Sequence, residues 1–363
     1  MKKDYLQSLN IKQFRGIKNL QLNNFNNFNI ILGGNNVGKT TILECIRIIG
    51  ANDIDYIYNI GSRNKNNIVG NLNNLVYLFP RDKKEIKIDY KINNQNSSFS
   101  MNYDLSQVIF NPAIFATDDN KPENQLRRSL VSSLKLENRN VDQIYGEIND
   151  NGQKIQYSCL KYDFAVGAYR TNKKFNIKYI SPFSHFTSND ALIGLAITNQ
   201  TYKKLMIDVL KLFEKDIVDI ISAPVSEEFS EYEIFLVKEN KDNMPLKFFG
   251  DGMKKFVELA SDLVHAKDGI LLIDEIETSL HHTMFDDIFY FLLKGAKQFN
   301  IQLFITTHNK ETIETLIELE SKHFKGEMNV YTINKKDGIS YAKLNSASNI
   351  YELFLNGYID VRN

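Results

Sequence analysis

Residues 33–40 of the 363-residue chain read GGNNVGKT and match the pattern Gly-x4-Gly-Lys-Thr completely. The run FNIIL before this motif is typical of a buried strand, and TTILECIRII after it has helical spacing. In that context the backbone amides of the glycine-rich loop wrap a phosphate chain, and the positive end of the helix faces the same phosphates. The motif therefore predicts an α/β fold built around a nucleotide-binding loop.

The residue types in this loop predict individual roles. Lys39 is expected to reach the β- and γ-phosphates and to assist catalysis, and the Thr40 hydroxyl is expected to ligate Mg²⁺. The predicted nucleotide-binding residues are Gly33, Gly34, Asn35, Asn36, Val37, Gly38, Lys39, Thr40 and Thr41.

A second chemical element is the run GILLIDE at residues 269–275, an apolar strand that ends in two carboxylates. Open α/β sheets bind ligands at the carboxyl ends of their strands, so Asp274 is predicted to hold Mg²⁺, directly or through water. Glu275 is predicted to be the catalytic base that accepts a proton from an attacking water. Switch GTPases usually have a single Asp here and an NKxD motif, which Asn309-Lys310 does not continue. The doublet therefore favours an ATP hydrolase.

Two further stretches carry candidate ligands of the phosphates. His308 ends the strand-like run IQLFITTH and would face the same γ-phosphate as a catalytic residue. Gly250, Asp251 and Gly252 precede a helical pattern, and bare backbone amides at a helix N-terminus form an anion site. His281 and His282 are adjacent and point about 100° apart on a helix, which makes them a poor metal pair.

The composition, with 43% hydrophobic and 24% charged residues and a formal net charge of zero, is that of an ordinary globular protein. Zero net charge gives no global attraction to nucleic acid, but it is compatible with a local basic patch. DNA is therefore neither supported nor excluded as a partner. Two cysteines, Cys45 and Cys159, cannot form a disulfide framework or a Cys-based zinc site. Without a signal peptide or a transmembrane run, we expect a cytoplasmic protein with no membrane partner.

The order of elements predicts a mainly parallel sheet flanked by helices, with an inserted β-rich and helical lobe. Strands and helices alternate from residue 253 to residue 344, and short strands are also expected over residues 5–32. A polar, loop-like segment is expected at 51–80, with a short apolar stretch at 74–79. Strands are expected at 85–92, 98–103, 153–166 and 175–181, with an exposed and partly helical stretch at 121–136. A long amphipathic helix is expected near 190–222, and Pro224 ends it. We predict a head core of residues 1–50 and 246–363, a mostly β lobe at 51–185 and a helical arm at 186–245.

This order of motifs resembles the P-loop NTPase head of the ABC-type ATPases, in the branch that contains RecF, the SMC proteins and the OLD-like ATPases. LNIKQFRGIKNLQL resembles the "F-R-G" hairpin of the OLD-like members, and DEIETSLH resembles their "DEIExxLH". Gly250-Asp251-Gly252 stands where transporters carry LSGGQ. The tail YELFLNGYIDVR is similar to the end of stand-alone AAA-type members.

The resemblance implies ATP and Mg²⁺ as cofactors and a homodimer, or a higher even oligomer, in which two heads trap ATP head-to-tail. Each ATP would lie between one P-loop and the partner's Gly250–Gly252 turn, with Arg15 near the nucleotide, His308 sensing the γ-phosphate and His281 in a loop that communicates across the dimer. The Ser and Gln of LSGGQ are missing, so recognition by the partner would rest on backbone amides. The glutamine of the family's Q-loop is left open, with Gln107 as one candidate.

The resemblance also implies what the chain controls. OLD nucleases continue into a Toprim domain, and the 55 residues after His308 are too few for one, so we expect no intrinsic nuclease activity. We expect the ATPase half of a two-component system, with a separate nuclease or toxin as effector, in anti-phage defence. The alternative is a RecF-like DNA-binding ATPase of repair or replication. The insertion is too short for an SMC coiled coil, while a transporter subunit and a non-hydrolysing binding module are disfavoured.

Overall fold

The computed structural model describes residues 5–51, 54–62, 73–109, 140–160, 164–166, 176–184, 190–224, 232–239, 243–347 and 349–350. Within these ranges the chain forms two compact units. One unit draws on Met1–Ser8, Leu22–Leu43 and Phe175–Asn363, and the other on Leu9–Gln21 and Glu44–Lys174.

Numbered along the chain, the strands are β1 (Leu6–Phe14), β2 (Ile17–Asn23), β3 (Phe28–Leu32), β4 (Glu85–Ile92), β5 (Gln95–Asn102), β6 (Asp104–Ile109), β7 (Asn140–Asp150), β8 (Gln153–Leu160), β9 (Phe164–Val166), β10 (Ile177–Ile180), β11 (Ile217–Pro224), β12 (Tyr232–Lys238), β13 (Met244–Pro245), β14 (Ile270–Ile273), β15 (Gln302–Thr307), β16 (Met328–Lys336) and β17 (Ile339–Ser346). The α-helices are α1 (Lys39–Ile49), α2 (Ile54–Ser62), α3 (Asn73–Val76), α4 (Asp190–Ala196), α5 (Gln200–Phe213), α6 (Asp251–His265), α7 (Phe285–Gln298) and α8 (Lys310–His323). Short 3₁₀ turns span Leu246–Phe248 and His282–Met284.

The first unit is organised by a six-stranded sheet in the order β10-β14-β15-β3-β16-β17. The pairs from β10 to β16 are parallel, and the hairpin of β16 and β17 is antiparallel. Every residue of β3, β14 and β15 is buried, as expected for parallel strands covered on both faces. The predicted mainly parallel α/β sheet is confirmed.

Helices of the closing third cover one face of this sheet and build the main apolar core. Side chains of α6, α7 and α8 pack there with alternate residues of β3, β14, β15 and β16. Aromatic rings tie these layers together, because Phe291 of α7 lies 5.1 Å from Phe256 of α6 and 5.6 Å from Tyr202 of α5, centroid to centroid. On the opposite face Phe25 makes edge contacts with Phe304 and Tyr331.

The helix predicted over residues 190–222 is interrupted after Ala196 and is wrong from Ile217 onward. Two shorter helices, α4 and α5, occupy its first part, and the Asn199 side chain caps α5 by accepting a hydrogen bond from the Tyr202 amide. Residues from Ile217 onward form β11, which pairs antiparallel with β12. Ile217 and Ile220 fit the helical spacing, yet the run IVDIIS is rich in β-branched residues that favour a strand once a partner strand is available. Pro224 ends this strand and not a helix.

The second unit contains most of an eight-stranded sheet in the order β2-β1-β4-β5-β7-β8-β9, with β6 paired to β7. The strands expected at 85–92 and 98–103 are confirmed by β4 and β5, and the one expected at 175–181 by β10 of the first unit. The run 153–166, predicted as one strand, contains two antiparallel strands, β8 and β9, whereas β6 and β7 were not predicted. The loop expected at 51–80 is wrong where α2 and α3 form, since Ile54, Ile57 and Ile60 are buried at three-residue steps. The exposed stretch expected at 121–136 lies outside the described residues.

No helix in the described part of the chain is long and apolar enough to span a membrane.

A buried glutamine ties the N-terminal strand to the central sheet. Gln302 is fully buried and its side chain donates to the carbonyls of Leu6 (2.9 Å) and Asn26 (3.0 Å), while its carbonyl accepts from the Leu6 amide (3.0 Å). We expect Gln302→Met to lower the free energy of unfolding by about 2–5 kcal/mol, because buried backbone groups lose their partners. Urea unfolding followed by circular dichroism measures this, with the exposed Gln153→Met as the matched control. A loss equal to that of the control would show that this network is not stabilising.

Candidate nucleotide-binding site

The parallel register brings the chemical residues to one edge of the sheet. Ile180 pairs with Ile273, Ile273 with Ile305, and Thr307 with Leu32, so four strands end side by side. Ser181, Asp274, His308 and Gly33 follow these four strand ends directly. Residues that are far apart in the sequence therefore surround one site, at the carboxyl edge where α/β sheets bind ligands.

The loop between β3 and α1 has the backbone that its glycines permit. Gly33 has φ +149°, and a Cβ on it would lie 2.5 Å from the Ile333 carbonyl oxygen, so only glycine fits beside β16. Gly38 (φ 108°) and Asn36 (φ 63°) also have positive φ, which other residues adopt at a cost. This geometry turns the chain into the helix N-terminus within a few residues, as the motif predicts.

Lys39 is buried inside this loop. Its ammonium donates to the carbonyl oxygens of Gly33 (2.8 Å) and Gly34 (2.9 Å). Burial lowers the pKa of Lys39 below its usual value, and the nearby carboxylates of Glu275, Asp274 and Glu277 partly oppose that shift. A phosphate chain in the loop would favour the cationic form further, because an opposite charge stabilises an ammonium.

The Asp274 carboxylate is where the loop and the sheet meet. It is 3% exposed and accepts hydrogen bonds from the hydroxyls of Thr40 (2.8 Å), Thr306 (2.5 Å) and Tyr179 (3.3 Å). A threonine hydroxyl in contact with a carboxylate is a pair of hard oxygen donors, which fits Mg²⁺ shared with nucleotide phosphates. Within the described residues no group of three or more His, Cys, Asp or Glu side chains is arranged to hold a metal ion.

Glu275 has a strained backbone that Thr306 holds in place. Its φ is +48°, a left-handed conformation that is costly for a residue other than glycine. The Thr306 hydroxyl accepts from the Glu275 amide (2.9 Å), and the Thr306 carbonyl accepts from the Ile276 amide (3.3 Å). One threonine therefore fixes both the Asp274 carboxylate and the backbone that carries Glu275, whose side chain stays partly exposed at 36%.

His308 lies between two carboxylates of the run that follows β14. Its Nδ1 is 3.4 Å from Glu277 Oε1 and 4.0 Å from Glu275 Oε1. The side chain is 48% exposed, so the ring is accessible from the site. The sequence predicted His308 and Glu275 at the same site, and the structure brings them together.

The turn at Gly250, Asp251 and Gly252 begins α6 without a side-chain cap. A Cβ on Gly252 would lie 2.9 Å from the Ser279 carbonyl oxygen, so glycine allows this turn to pack against the segment that follows Glu277. His281 is exposed and its Nδ1 lies 2.9 Å from the Thr283 hydroxyl. The structure leaves the predicted roles of this turn and of His281 across a dimer as predictions.

Two predicted residues lie in the second unit. Arg15 forms an ion pair with Glu44, with 2.8 Å between Nε and Oε2, so its contact with a nucleotide remains a prediction. Gln107 lies on β6 and donates to Asp142 (3.0 Å). In the sheet β14 lies between β15 and β10. The segment that follows β10 at the carboxyl edge of the sheet begins with Ser181.

Three residues at the site were not singled out from the sequence. Tyr179 and Thr306 contact Asp274, and Glu277 contacts His308. A signal was available for Thr306, since ITTH places a hydroxyl just ahead of a strand-end histidine. No pattern identified Tyr179, because β10 becomes a neighbour of β14 only through the sheet order.

The fold and site define a P-loop ATPase domain with the head architecture of the ABC, SMC and RecF type. Residues 28–314 match one protein family, described as "AAA domain, putative AbiEii toxin, Type IV TA system". The match covers most of the chain and includes the loop at 33–40, the Gly250 turn, Asp274, Glu275 and His308. The chain therefore belongs to this AAA-domain family.

Relatives of known name agree with this class. A protein named "ATP/GTP phosphatase" from Helicobacter pylori (strain ATCC 700392 / 26695) is 25% identical over 361 residues, which covers 92% of this chain and 93% of that protein. The "DNA replication and repair protein RecF" of Oenococcus oeni (strain ATCC BAA-331 / PSU-1) is 31% identical over 121 residues, 30% of this chain and 31% of that protein.

A solved structure has the same fold. It is an SMC head bound to the C-terminal winged-helix domain of ScpA, with a TM-score of 0.52 and 13% sequence identity. The alignment covers 95% of this chain and 99% of that one. The predicted head fold is confirmed, and the finer resemblance to the OLD-like ATPases remains a prediction.

The position of Thr306 generates a test of the site. Thr306→Val keeps the side-chain shape but removes the hydroxyl shared by Asp274 and Glu275. We expect it to weaken the Mg²⁺ affinity of the nucleotide-loaded protein about 10- to 100-fold, the usual effect of losing a partner of a metal ligand. Titration of Mg²⁺ against a fluorescent ATP analogue measures this affinity.

The neighbouring Thr307→Val is the matched control, because Thr307 is equally buried but its hydroxyl accepts from the Asn309 amide. Equal Mg²⁺ affinity in the two variants would show that the Thr306 contact with Asp274 does not support a metal ligand.

Proposed function

We propose that the protein binds and hydrolyses ATP with Mg²⁺ and that two heads close head-to-tail around the nucleotide. The observation that carries this proposal is the 2.8 Å contact between the Thr40 hydroxyl and the Asp274 carboxylate, with Lys39 in the same loop. These are the oxygen donors and the cation that a phosphate chain with its metal requires. The name of the Helicobacter pylori relative, an ATP/GTP phosphatase, supports hydrolysis.

The residues of this chain would divide the work as follows. Gly33–Thr41 bind the phosphate chain with backbone amides, and Lys39 places its charge at the β- and γ-phosphates. Thr40 and Asp274 would hold Mg²⁺, which supplies neutralisation of developing charge on the phosphates. Glu275 takes a proton from the attacking water, and its partly exposed carboxylate, held on a fixed backbone, suits that task. His308 donates to the γ-phosphate.

The backbone amides of the turn at 250–252 support the proposed dimer. The first amides of α6 lie at a helix N-terminus that has no side-chain cap, where an anion is favoured. A second copy presenting its bound ATP would place the γ-phosphate against these amides. His281 and the preceding segment, which packs on Gly252, would then report closure from one head to the other.

A trapped dimer tests this proposal. Glu275→Gln should lower the hydrolysis rate about 10²- to 10⁴-fold, because the base is lost while the binding residues remain. With saturating Mg-ATP this variant should have twice the 42.0 kDa mass of one chain in light scattering. Adding Lys39→Ala to the same variant should return the mass to that of one chain. A Glu275→Gln protein that stays monomeric with saturating Mg-ATP contradicts the head-to-tail arrangement.

We further propose that the closing heads control a separate effector, a nuclease or toxin, in anti-phage defence. The family description, which refers to toxin–antitoxin systems, supports this context. The SMC head with the same fold is bound to a domain of another protein, so heads of this shape accept protein partners. The purified chain alone is expected to show no metal-dependent DNA cleavage.

Phage plating on cells that carry the protein with its neighbouring genes tests the defence role. The wild-type locus should lower plaque numbers, and Glu275→Gln and Lys39→Ala should each abolish the effect, because both interrupt the ATP cycle. Inactivating the effector gene alone should abolish it equally. Equal plaque numbers with wild type and Lys39→Ala, over a panel of phages, would exclude ATP-driven defence.

The second candidate is a RecF-like DNA-binding ATPase, favoured by the local similarity to RecF. Duplex DNA binding by the ATP-trapped Glu275→Gln dimer, measured by fluorescence anisotropy, separates the two functions. Affinity that appears only with ATP and falls steeply with salt favours the RecF-like function, because phosphate contacts release counterions.

A further inference from the structure

Glu277 is the third carboxylate after β14, and neither the motif nor the proposed catalytic steps assign it a role. Its side chain is only 10% exposed, and the preceding residue, Ile276, is fully buried. One of its oxygens, Oε1, accepts from the His308 backbone amide at 3.3 Å and lies 3.4 Å from His308 Nδ1. Glu277 therefore contacts both the main chain and the ring of the histidine that directly follows β15.

This contact determines which edge of the imidazole faces the site. A carboxylate near Nδ1 accepts a hydrogen bond from that nitrogen, in the way that carboxylates orient metal-binding and catalytic histidines. Both ring nitrogens donate in the imidazolium form, so Nδ1 can donate to Glu277 while Nε2 donates to a phosphate oxygen. The other ring nitrogen, Nε2, is then on the opposite edge of a side chain that is 48% exposed. Glu275 Oε1 lies on the Nδ1 side too, at 4.0 Å. Both carboxylates thus leave Nε2 free to meet an incoming group.

The other oxygen of Glu277 carries a local cost to stability. Oε2 is buried and has no hydrogen-bond partner among the described residues. A buried carboxylate oxygen without a donor is unfavourable, and removing such a charge is often neutral or stabilising. The Glu277 carboxylate also attracts the ammonium of Lys39 and so opposes the lowering of the Lys39 pKa by burial. Glu277 thus has a local cost in stability and lies beside Lys39 and His308, the two side chains proposed to bind phosphate. This combination suggests that Glu277 has a functional role.

We propose that Glu277 is the positioning residue for His308, holding Nδ1 so that Nε2 is directed at the γ-phosphate. This inference rests on the proposed ATP hydrolysis and adds a residue to it. Glu277 itself contacts His308 and not the nucleotide, so it acts on the reaction through the orientation of that ring.

Steady-state ATP hydrolysis by four proteins tests the proposal: wild type, Glu277→Ala, His308→Ala and the double variant. We expect Glu277→Ala to lower kcat about 10- to 100-fold, as for other partners that orient a histidine, with KM nearly unchanged. In the His308→Ala background the same change should have almost no further effect, because residues that act as a unit are not additive. Glu277→Gln keeps an acceptor oxygen and should recover most of the rate.

Stability and a surface control complete the experiment. Glu277→Ala removes one acceptor of a solvent-exposed amide and should lower the thermal unfolding midpoint only slightly, whereas loss of a purely structural carboxylate would lower it in proportion to the loss of activity. The partly exposed Glu318→Ala should leave both kcat and the midpoint unchanged. Full activity of Glu277→Ala, or an equal loss with and without His308, overturns the proposal. A folded wild type that hydrolyses no ATP would contradict the proposed function instead. If Glu277→Ala does not fold, Glu277→Leu, which fills the site without charge, replaces it and must show the same loss of kcat.

Discussion

The site depends on one buried carboxylate. Asp274 accepts hydrogen bonds from Thr40 at the start of α1, from Thr306 on β15 and from Tyr179 on β10. These donors come from three separate segments of the chain, so a single charged group joins the phosphate-binding loop to two strands of the sheet. A buried charge is stable only when it is well paired, and here each partner is also part of the nucleotide site. The same contacts satisfy the charge and place the Asp274 carboxylate beside the Thr40 hydroxyl.

The strain at Glu275 has the same origin. The left-handed backbone there turns the chain sharply after β14, and hydrogen bonds from the Glu275 and Ile276 amides to Thr306 stabilise it. This turn places Glu275 and Glu277 on the His308 side of the site while Asp274 stays with Thr40. Three carboxylates within four residues can therefore serve different partners. Local strain at Glu275 is tolerated because the adjoining parallel strands are buried and Thr306 accepts hydrogen bonds from both amides.

Much of the fold was predictable because its strongest signals are local. β3, α1, α6, β14, α7, β15 and α8 follow from apolar periodicity, from glycine turns and from residue types at strand ends. The failures occurred where a second segment decides the structure. Ile217 and Ile220 fit a helix until β12 offers hydrogen bonds to β11, and α2 depends on buried isoleucines in a stretch whose asparagines and glycine suggest a loop.

For the site, the sequence by itself determined the chemistry. The run GGNNVGKT requires a phosphate-binding turn because its glycines permit positive φ, and Asp274, Glu275 and His308 stand at the ends of recognisable strands. Only the tertiary structure decided which other side chains meet them. Tyr179, Thr306 and Glu277 acquire their roles through the order and register of parallel strands, and neighbours in a parallel sheet are set by long-range packing that no local pattern encodes.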